Sequence, residues 1–486
     1  DAGSNINVLA GYGYYNNRAY TDNYPHLDSK GDTIAGTAPL YPNSINENTL
    51  ISYFGRLIYT YNNRYTLTAS IRTDGSSRFA QADRWGVFPA VAVAWKLTEE
   101  DFMKSVSSVS MLKLRASYGV TGNQDGIGNY GYIPSYYLSS NGSQYQFGPD
   151  FYYMSTPSPY VANLVWEQTA STNIGVDYGF LKNRISGSIE YYYKNTTNLI
   201  NSIFIPTGTN FTNKITSNIG NMVSKGFEFS INAVPVQNRD LTWNVSFNLT
   251  YENINITKLT NATNDPNFYG NATGGISGGT GNTIQMNTVG YEPNSFFVLQ
   301  QVYNQKSGMP TEGLYVDRNR DGIISSPPSS PDAYHYKSPF APVYMGFSTS
   351  VTYHNWSLST VLRANINNYV YNNVAANLAV QRSILNPNNF ISNTLTSYSN
   401  TNFINNQYFT DYYVENASFL KMDNLMLNYN FGTIMSNKVR LNVSASCQNV
   451  FTVTNYTGID PEIYGGIDNN IYPKPRTYTL GINLGF

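Results

Sequence analysis

The feature that most constrains this chain is a period of two. In its last stretch, Arg476-Thr-Tyr-Thr-Leu-Gly-Ile-Asn-Leu-Gly-Phe486, the residues Tyr478, Leu480, Ile482, Leu484 and Phe486 fall at every second position. Thr477, Thr479, Gly481, Asn483 and Gly485 fill the gaps. A strand turns successive side chains to opposite faces, so one face is apolar and the other small or polar. That apolar face needs either a protein core or lipid to cover it. In an outer-membrane barrel it would lie against lipid, with the terminal aromatic ring at the interface girdle.

The same alternation recurs along the chain. Tyr53, Leu57, Tyr59 and Tyr61 lead through a tight turn at Asn62-Asn63 into Tyr65, Leu67, Ala69 and Ile71, which reads as a hairpin. Further strands carry Val87, Val91, Val93 and Trp95, then Leu112, Leu114 and Tyr118, with Arg115 on the opposite face. Later hairpins turn at 181–183, 235–240, 354–355 and 432–437. Fourteen spanning strands of roughly 10 to 13 residues result, a length that lets a tilted strand cross a bilayer. One set of connections is short, with 97–109 somewhat longer. The other set is long: 16–47, 121–168, 196–222, 252–340, 367–416 and 452–474, with 75–84 its one short member. Short periplasmic turns and long outer loops are the asymmetry of a bacterial outer-membrane barrel. Ser295 to Tyr303 is strand-like, but counting it as spanning would break the parity, so it belongs to the outer loop. Thr98-Glu-Glu-Asp-Phe-Met103 reads as a capped short helix.

Composition bounds the alternatives. Charged residues are 12%, against roughly 25% in an ordinary soluble domain. A net charge of −1 gives no basic footprint for nucleic acid. The single Cys447 excludes an internal disulfide framework. No apolar run of about 18 residues exists for a transmembrane helix, which leaves a barrel open because its strands dilute their lipid face with lumen residues. No charged-then-apolar signal segment leads the sequence, so export requires one removed or left out.

Several segments resemble the SusC/RagA family of TonB-dependent transporters from Bacteroidetes. They include Arg72-Thr-Asp-Gly-Ser-Ser-Arg-Phe79, Trp85-Gly-Val-Phe-Pro-Ala90, Leu114-Arg-Ala-Ser-Tyr-Gly-Val-Thr-Gly-Asn-Gln124, Val223-Ser-Lys-Gly-Phe-Glu-Phe229, Gln448-Asn-Val-Phe451 and Tyr472-Pro-Lys-Pro-Arg-Thr-Tyr-Thr-Leu-Gly481. The resemblance implies an all-β, antiparallel up-and-down transmembrane barrel of about 22 strands with a plug in its lumen. Residues 1–486 would be the C-terminal part of that barrel, without the first strands, the plug or the TonB-contacting motif. It further implies uptake of oligosaccharides or oligopeptides across the outer membrane of a Gram-negative bacterium. A SusD-like lipoprotein would lid the outer loops and TonB would supply the energy. The terminal strand, Tyr478 to Phe486, resembles the signal by which barrel-assembly machinery recognises its clients. A passive porin-like or adhesin barrel is the alternative.

Candidate chemistry is sparse. Asp317-x-Asn319-x-Asp321-Gly322 matches the first half of a calcium loop, with Ile323 offering a backbone carbonyl. The twelfth position is Pro328 in place of a bidentate Glu, so Asp332 would have to substitute; the alternative is an Asx-rich turn holding no ion. The glycine-rich 274–281 segment lacks the Lys-Ser/Thr ending of a phosphate loop. His26, His335 and His354 show no metal spacing. No nucleophile with a base is evident, so the chain does not read as an enzyme. Loop residues Tyr130, Tyr132, Tyr136, Tyr137, Tyr152, Tyr153, Tyr412 and Tyr413 are the substrate-facing candidates, against ordinary loop packing. Arg56, Arg72, Arg115 and Arg363 should face a polar lumen.

Overall fold

The structure is a computed structural model that describes residues 3–39, 41–139, 144–204, 214–259, 268–384, 393–434, 439–470 and 472–486. The alternating segments form fourteen strands: β1 (Ser4–Asp22), β2 (Asn43–Tyr61), β3 (Tyr65–Ser76), β4 (Trp85–Lys96), β5 (Val109–Asn123), β6 (Glu167–Phe180), β7 (Ile185–Thr197), β8 (Gly220–Gln237), β9 (Leu241–Leu259), β10 (Val343–Tyr353), β11 (Trp356–Ile366), β12 (Phe419–Ile434), β13 (Val439–Thr454) and β14 (Thr477–Gly485). They make one 14-stranded sheet in which every strand pairs with its sequence neighbours, an up-and-down meander. All pairings within it are antiparallel. Among the described residues β1 and β14 do not pair with each other, so the sheet has two edges.

Local chemistry explains the turns. Asn62 and Asn63 both take positive φ within the three residues, 62–64, that join β2 to β3, and Arg64 N closes the turn on Tyr61 O (3.0 Å). Leu181, Lys182 and Asn183 also take positive φ between β6 and β7. Pro235 sits where the β8–β9 register shifts, between Ala233 and Val236, so its missing N–H removes no ladder bond. The expected turn at 432–437 lies outside the described residues from 435 onward.

Three expectations change. Strands run from 9 to 19 residues, not 10 to 13, because β1, β2 and β9 continue well beyond a bilayer's thickness. Residues 97–103 are two 3-10 turns, Leu97–Glu99 and Asp101–Met103, without a side-chain cap. The Glu100 carboxylate instead accepts from Trp95 Nε1 (2.9 Å), Tyr65 Oη (2.6 Å) and Arg64 Nη1 (3.0 Å).

The third change concerns the long outer connections, which are folded. Asn271–Gly275, Thr283–Asn287, Ser295–Leu299 and Ala333–His335 make a four-stranded sheet, and Gln301–Tyr303 pairs with Pro310–Tyr315. Ser295–Leu299 thus stands outside the barrel sheet, as parity required. A short helix, Asn373–Leu378, is capped by the Asn372 side chain accepting from Ala375 N. These pieces share a core of Ile284, Phe296, Val298, Tyr371, Ala376 and Phe403. The largest core of the molecule is therefore in a cap beyond one end of the barrel.

Candidate functional site

The sheet separates its side chains by parity. Tyr53, Leu57, Leu67, Val91, Val93, Leu114, Ile174 and Leu358 are exposed on one face. On β14, Tyr478, Leu480, Ile482 and Leu484 pair with Cys447, Ala445, Val443 and Leu441, extending one apolar face. Leu480 is 84% and Phe486 96% exposed. Tyr65 stacks on Trp95 (6.2 Å), and Trp356 and Phe431 flank Tyr429 (4.6 and 4.5 Å), all near the short-turn end. Tyr12, Tyr53 and Trp85 cluster toward the other end. Two aromatic belts flanking an apolar band are what a membrane interface selects.

The opposite face carries fixed charge. Arg72 Nε donates to Asp74 (2.8 Å) and Nη2 to Ser52 (2.8 Å). Arg115 on β5 reaches Asp177 on β6 (3.0 Å) and, beyond it, Glu190 on β7. Lys113 completes the row on Asp177 (2.7 Å), and Asn173 Nδ2 donates to Glu190 (3.0 Å). Gly175 lies between these charges, and a Cβ there would stand 3.0 Å from Arg115 Cζ, so a side chain at this position would push the guanidinium aside by a few tenths of an ångström.

A second network joins the last long connection to the wall. Lys421 on β12 donates to Asp460 (2.7 Å) and Glu462 (2.9 Å), and Arg363 on β11 to Glu462 (2.8 Å) and to Asp423. Lys474 reaches Asp460 from the connection's far end (2.8 Å). Lys421 and Asp460 are 4% and 5% exposed, an interior ion pair. Burial works against the Glu462 charge, but hydrogen bonds from Arg363 and Lys421 outweigh it and hold its pKa at about 2. The same connection touches the cap: Asp468 N donates to Tyr371 O (2.9 Å) and Tyr456 Oη to Asp468 (2.6 Å). Arg72, Arg115 and Arg363 were expected to face a polar lumen. Their carboxylate partners were not foreseen, although a charged residue at polar parity in so uncharged a chain was the available signal.

The aromatic candidates divide. Tyr136 and Tyr137 lie on a short ladder, Tyr136–Leu138 with Ser155–Pro157, and Tyr152 on a neighbouring one, Tyr145–Phe147 with Asp150–Tyr152. Tyr136, Tyr137, Tyr152 and Tyr153 are exposed, Tyr130 is exposed with its hydroxyl accepting from Glu47 N (3.0 Å), and Tyr132 is half-buried. Tyr413 is a correction: at 2% exposure it belongs to the cap core, edge-on to Tyr371, and faces no solvent. Tyr412 is half-buried and packs against the same core.

In the 317–332 loop, Asp317 accepts from Arg320 N (2.6 Å) and Gly322 N (2.8 Å), and Asp321 from Ile323 N (2.8 Å). Asn319 Nδ2 donates to Asp321 (2.7 Å). Asp332 does fold back, but fully buried and bound to Arg318 N (3.0 Å) and Ser325 N (2.9 Å). No group of three or more His, Cys, Asp or Glu suited to a metal exists among the described residues. What is formed is a set of nested Asx turns.

Residues 1–450 match the family described as "TonB dependent receptor-like, beta-barrel". The chain belongs to this family. The TonB-dependent receptor SusC of Bacteroides thetaiotaomicron is 43% identical over 445 residues, covering 90% of this chain and 44% of SusC. The TonB-dependent receptor P39 of Formosa agariphila is 30% identical over 498 residues, covering 90% of this chain and 46% of that protein. The chain thus spans about half the length of these curated relatives. Its fold is shared with a solved RagAB peptide transporter at TM-score 0.81 and 24% identity, covering 100% of this chain and 54% of the other. This membership makes the exposed apolar face a lipid face and puts the barrel in the outer membrane. The relatives are receptors and transporters.

Proposed function

We propose that the chain is barrel wall and outer cap of a SusC/RagA-type importer, taking up oligosaccharides or oligopeptides with TonB as energy source and a SusD-like lipoprotein as lid. The observation that carries this reading is the 43% identity to SusC over 90% of the chain. The lipid-facing outer surface, the charged inner wall and the cap braced to it are the parts such an importer requires. Two sheet edges left unpaired among the described residues, and a match to under half of SusC, support a wider barrel of about 22 strands in which further strands, a plug and a TonB-contacting motif complete the machine. Import makes and breaks no covalent bond in the cargo, and the reading is non-enzymatic.

The calcium expectation is kept as a proposal for Asp317, Asn319, Asp321 and the Ile323 carbonyl. Each carboxylate oxygen has more than one lone pair, so the turn's own hydrogen bonds leave acceptor capacity. Calorimetric titration of the full-length protein with calcium should give heat that Asp317→Ala removes.

The import reading is tested in cells lacking the protein. They should lose growth on one class of oligosaccharide or oligopeptide as sole nutrient, and loss of TonB should reproduce the defect. Uptake that persists without TonB would select the passive, porin-like or adhesin barrel instead.

A further inference from the structure

A cavity of about 260 Å³ lies where the cap meets the tops of β10 and β11. Its walls include Tyr291, Glu292, His335, Tyr336, Lys337 and Tyr369. Tyr291 and the His335 ring stack nearly parallel at 3.8 Å, giving one flat side. The Lys337 ammonium lies over two rings, 5.5 Å from the Tyr336 centroid and 5.0 Å from that of Tyr369. Rings hold a cation in place without neutralising it.

Two charges of opposite sign therefore line one small space. Neither Glu292 nor Lys337 has an ion-pair partner among the described residues, and the two do not pair with each other. On the lumen wall, by contrast, Arg72, Lys113, Arg115, Arg363 and Lys421 each have a carboxylate partner. His335 adds a third feature. Its Nε2 is 3.0 Å from Thr288 Oγ1, whose single proton goes to Tyr269 O (2.6 Å), so Nε2 must donate. Nδ1 is then an acceptor, buried and without a partner among the described residues. Burial lowers the His335 pKa to about 4, which keeps the ring neutral near pH 7.

We propose that this cavity binds a small zwitterion, a free amino acid or dipeptide, with its ammonium toward Glu292 and its carboxylate toward Lys337. The alternatives fit less well. A phosphate or dicarboxylate would meet the Glu292 charge. A cation site would need more oxygen donors than one carboxylate beside an imidazole. A neutral sugar would leave both charges unmatched. The volume lies below the range of pockets that enclose drug-sized ligands, so an oligomeric cargo does not fit inside it. An occupant of this size is smaller than an imported oligomer, and this inference goes beyond the import reading.

The test is calorimetric binding to the full-length protein in detergent, with three probes: dialanine with free termini, dialanine N-acetylated and C-amidated, and maltose. Dialanine should bind, and blocking both termini should weaken it at least about tenfold, the loss expected for a charge-assisted hydrogen bond. Glu292→Gln should weaken dialanine similarly but leave the N-acetylated, free-carboxylate form unchanged. Lys337→Met should do the reverse with the C-amidated, free-ammonium form. Limited proteolysis of each variant checks that the cap is still folded, and a variant that fails it is replaced by the mixed-terminus probes on wild type. No dialanine binding, equal binding of free and blocked forms, or binding of maltose in their place would each overturn the proposal. None of these outcomes bears on uptake in cells, so the two readings fail separately.

Discussion

At the scale of residues, the interior pair Lys421–Asp460 is the most constrained contact of the inner wall. Both groups are almost fully buried 2.7 Å apart, and removing Lys421 leaves Asp460 with Lys474 alone (2.8 Å) and Glu462 with Arg363 (2.8 Å) and Lys474 (3.6 Å). Lys421→Met should weaken the attachment of the 455–474 connection by about 1.5–3 kcal/mol, the loss of a charge-assisted hydrogen bond, seen as faster hydrogen exchange there while the strands keep their protection. Unchanged exchange would mean that Lys474 and Arg363 hold the connection unaided. The same network sets a pH response. Glu462 titrates at about 2 when folded, below its ordinary 4.5, so the ionised carboxylate stabilises the folded attachment above that ordinary value. As pH falls from about 4.5 toward 2 this contribution is lost, and exchange in the connection should rise across that window. A flat profile, or loosening only at alkaline pH, would contradict it. Little of this network was legible in the sequence. Arg363 could be placed on the inner face by parity, but its partner Glu462 lies far along the chain in a connection with no period. Tyr413 failed for the same reason: loop tyrosines look alike in sequence, and only packing against Tyr371 assigns this one to a core.

At the scale of elements, legibility tracked the environment. Every barrel strand meets lipid on one face and lumen on the other, and this imposes the alternation that allowed all fourteen to be placed, with the turns at Asn62-Asn63 and 181–183. In the cap, Thr283–Asn287 and Ser295–Leu299 are buried at every residue and carry no period, so the first reads as loop, while the second reads as strand-like and only parity keeps it out of the barrel. The terminal strand is the sharpest case of the legible kind. Leu480 stands near its middle, opposite Ala445, with its side chain in lipid. A charge there must be taken into hydrocarbon at about 2–4 kcal/mol for a mid-membrane Arg, and β14 has no second sheet neighbour among the described residues to hold it. Leu480→Arg should therefore reduce the heat-modifiable, outer-membrane form of the protein, whereas Thr479→Arg on the inner face should leave it intact. Equal tolerance of both would remove the assignment of this face to lipid.

At the scale of the whole molecule, the question is what covers the two edges. Among the described residues β1 pairs only with β2 and β14 only with β13, so alternate N–H and C=O groups along Ser4–Asp22 and Thr477–Gly485 point away from the sheet. Water can solvate such groups beyond the bilayer but not within it, where each unsatisfied group costs several kcal/mol. A sheet with this lipid face cannot rest in a membrane with its edges bare, so pairing strands are required on both sides. The charged inner wall is consistent with that, since an enclosed lumen protects Arg115, Asp177 and Glu190 from lipid. Hydrogen exchange on the full-length protein in detergent tests the closure at these two strands. Amides of β1 and β14 that point away from β2 and β13 should exchange as slowly as those shared between β6 and β7. If they exchange quickly while their inward-pointing neighbours stay protected, the edges are open and the wider closed barrel is wrong. If only the outer end of β1 exchanges quickly, the barrel closes at membrane depth and this 19-residue strand projects beyond it, as its length implies.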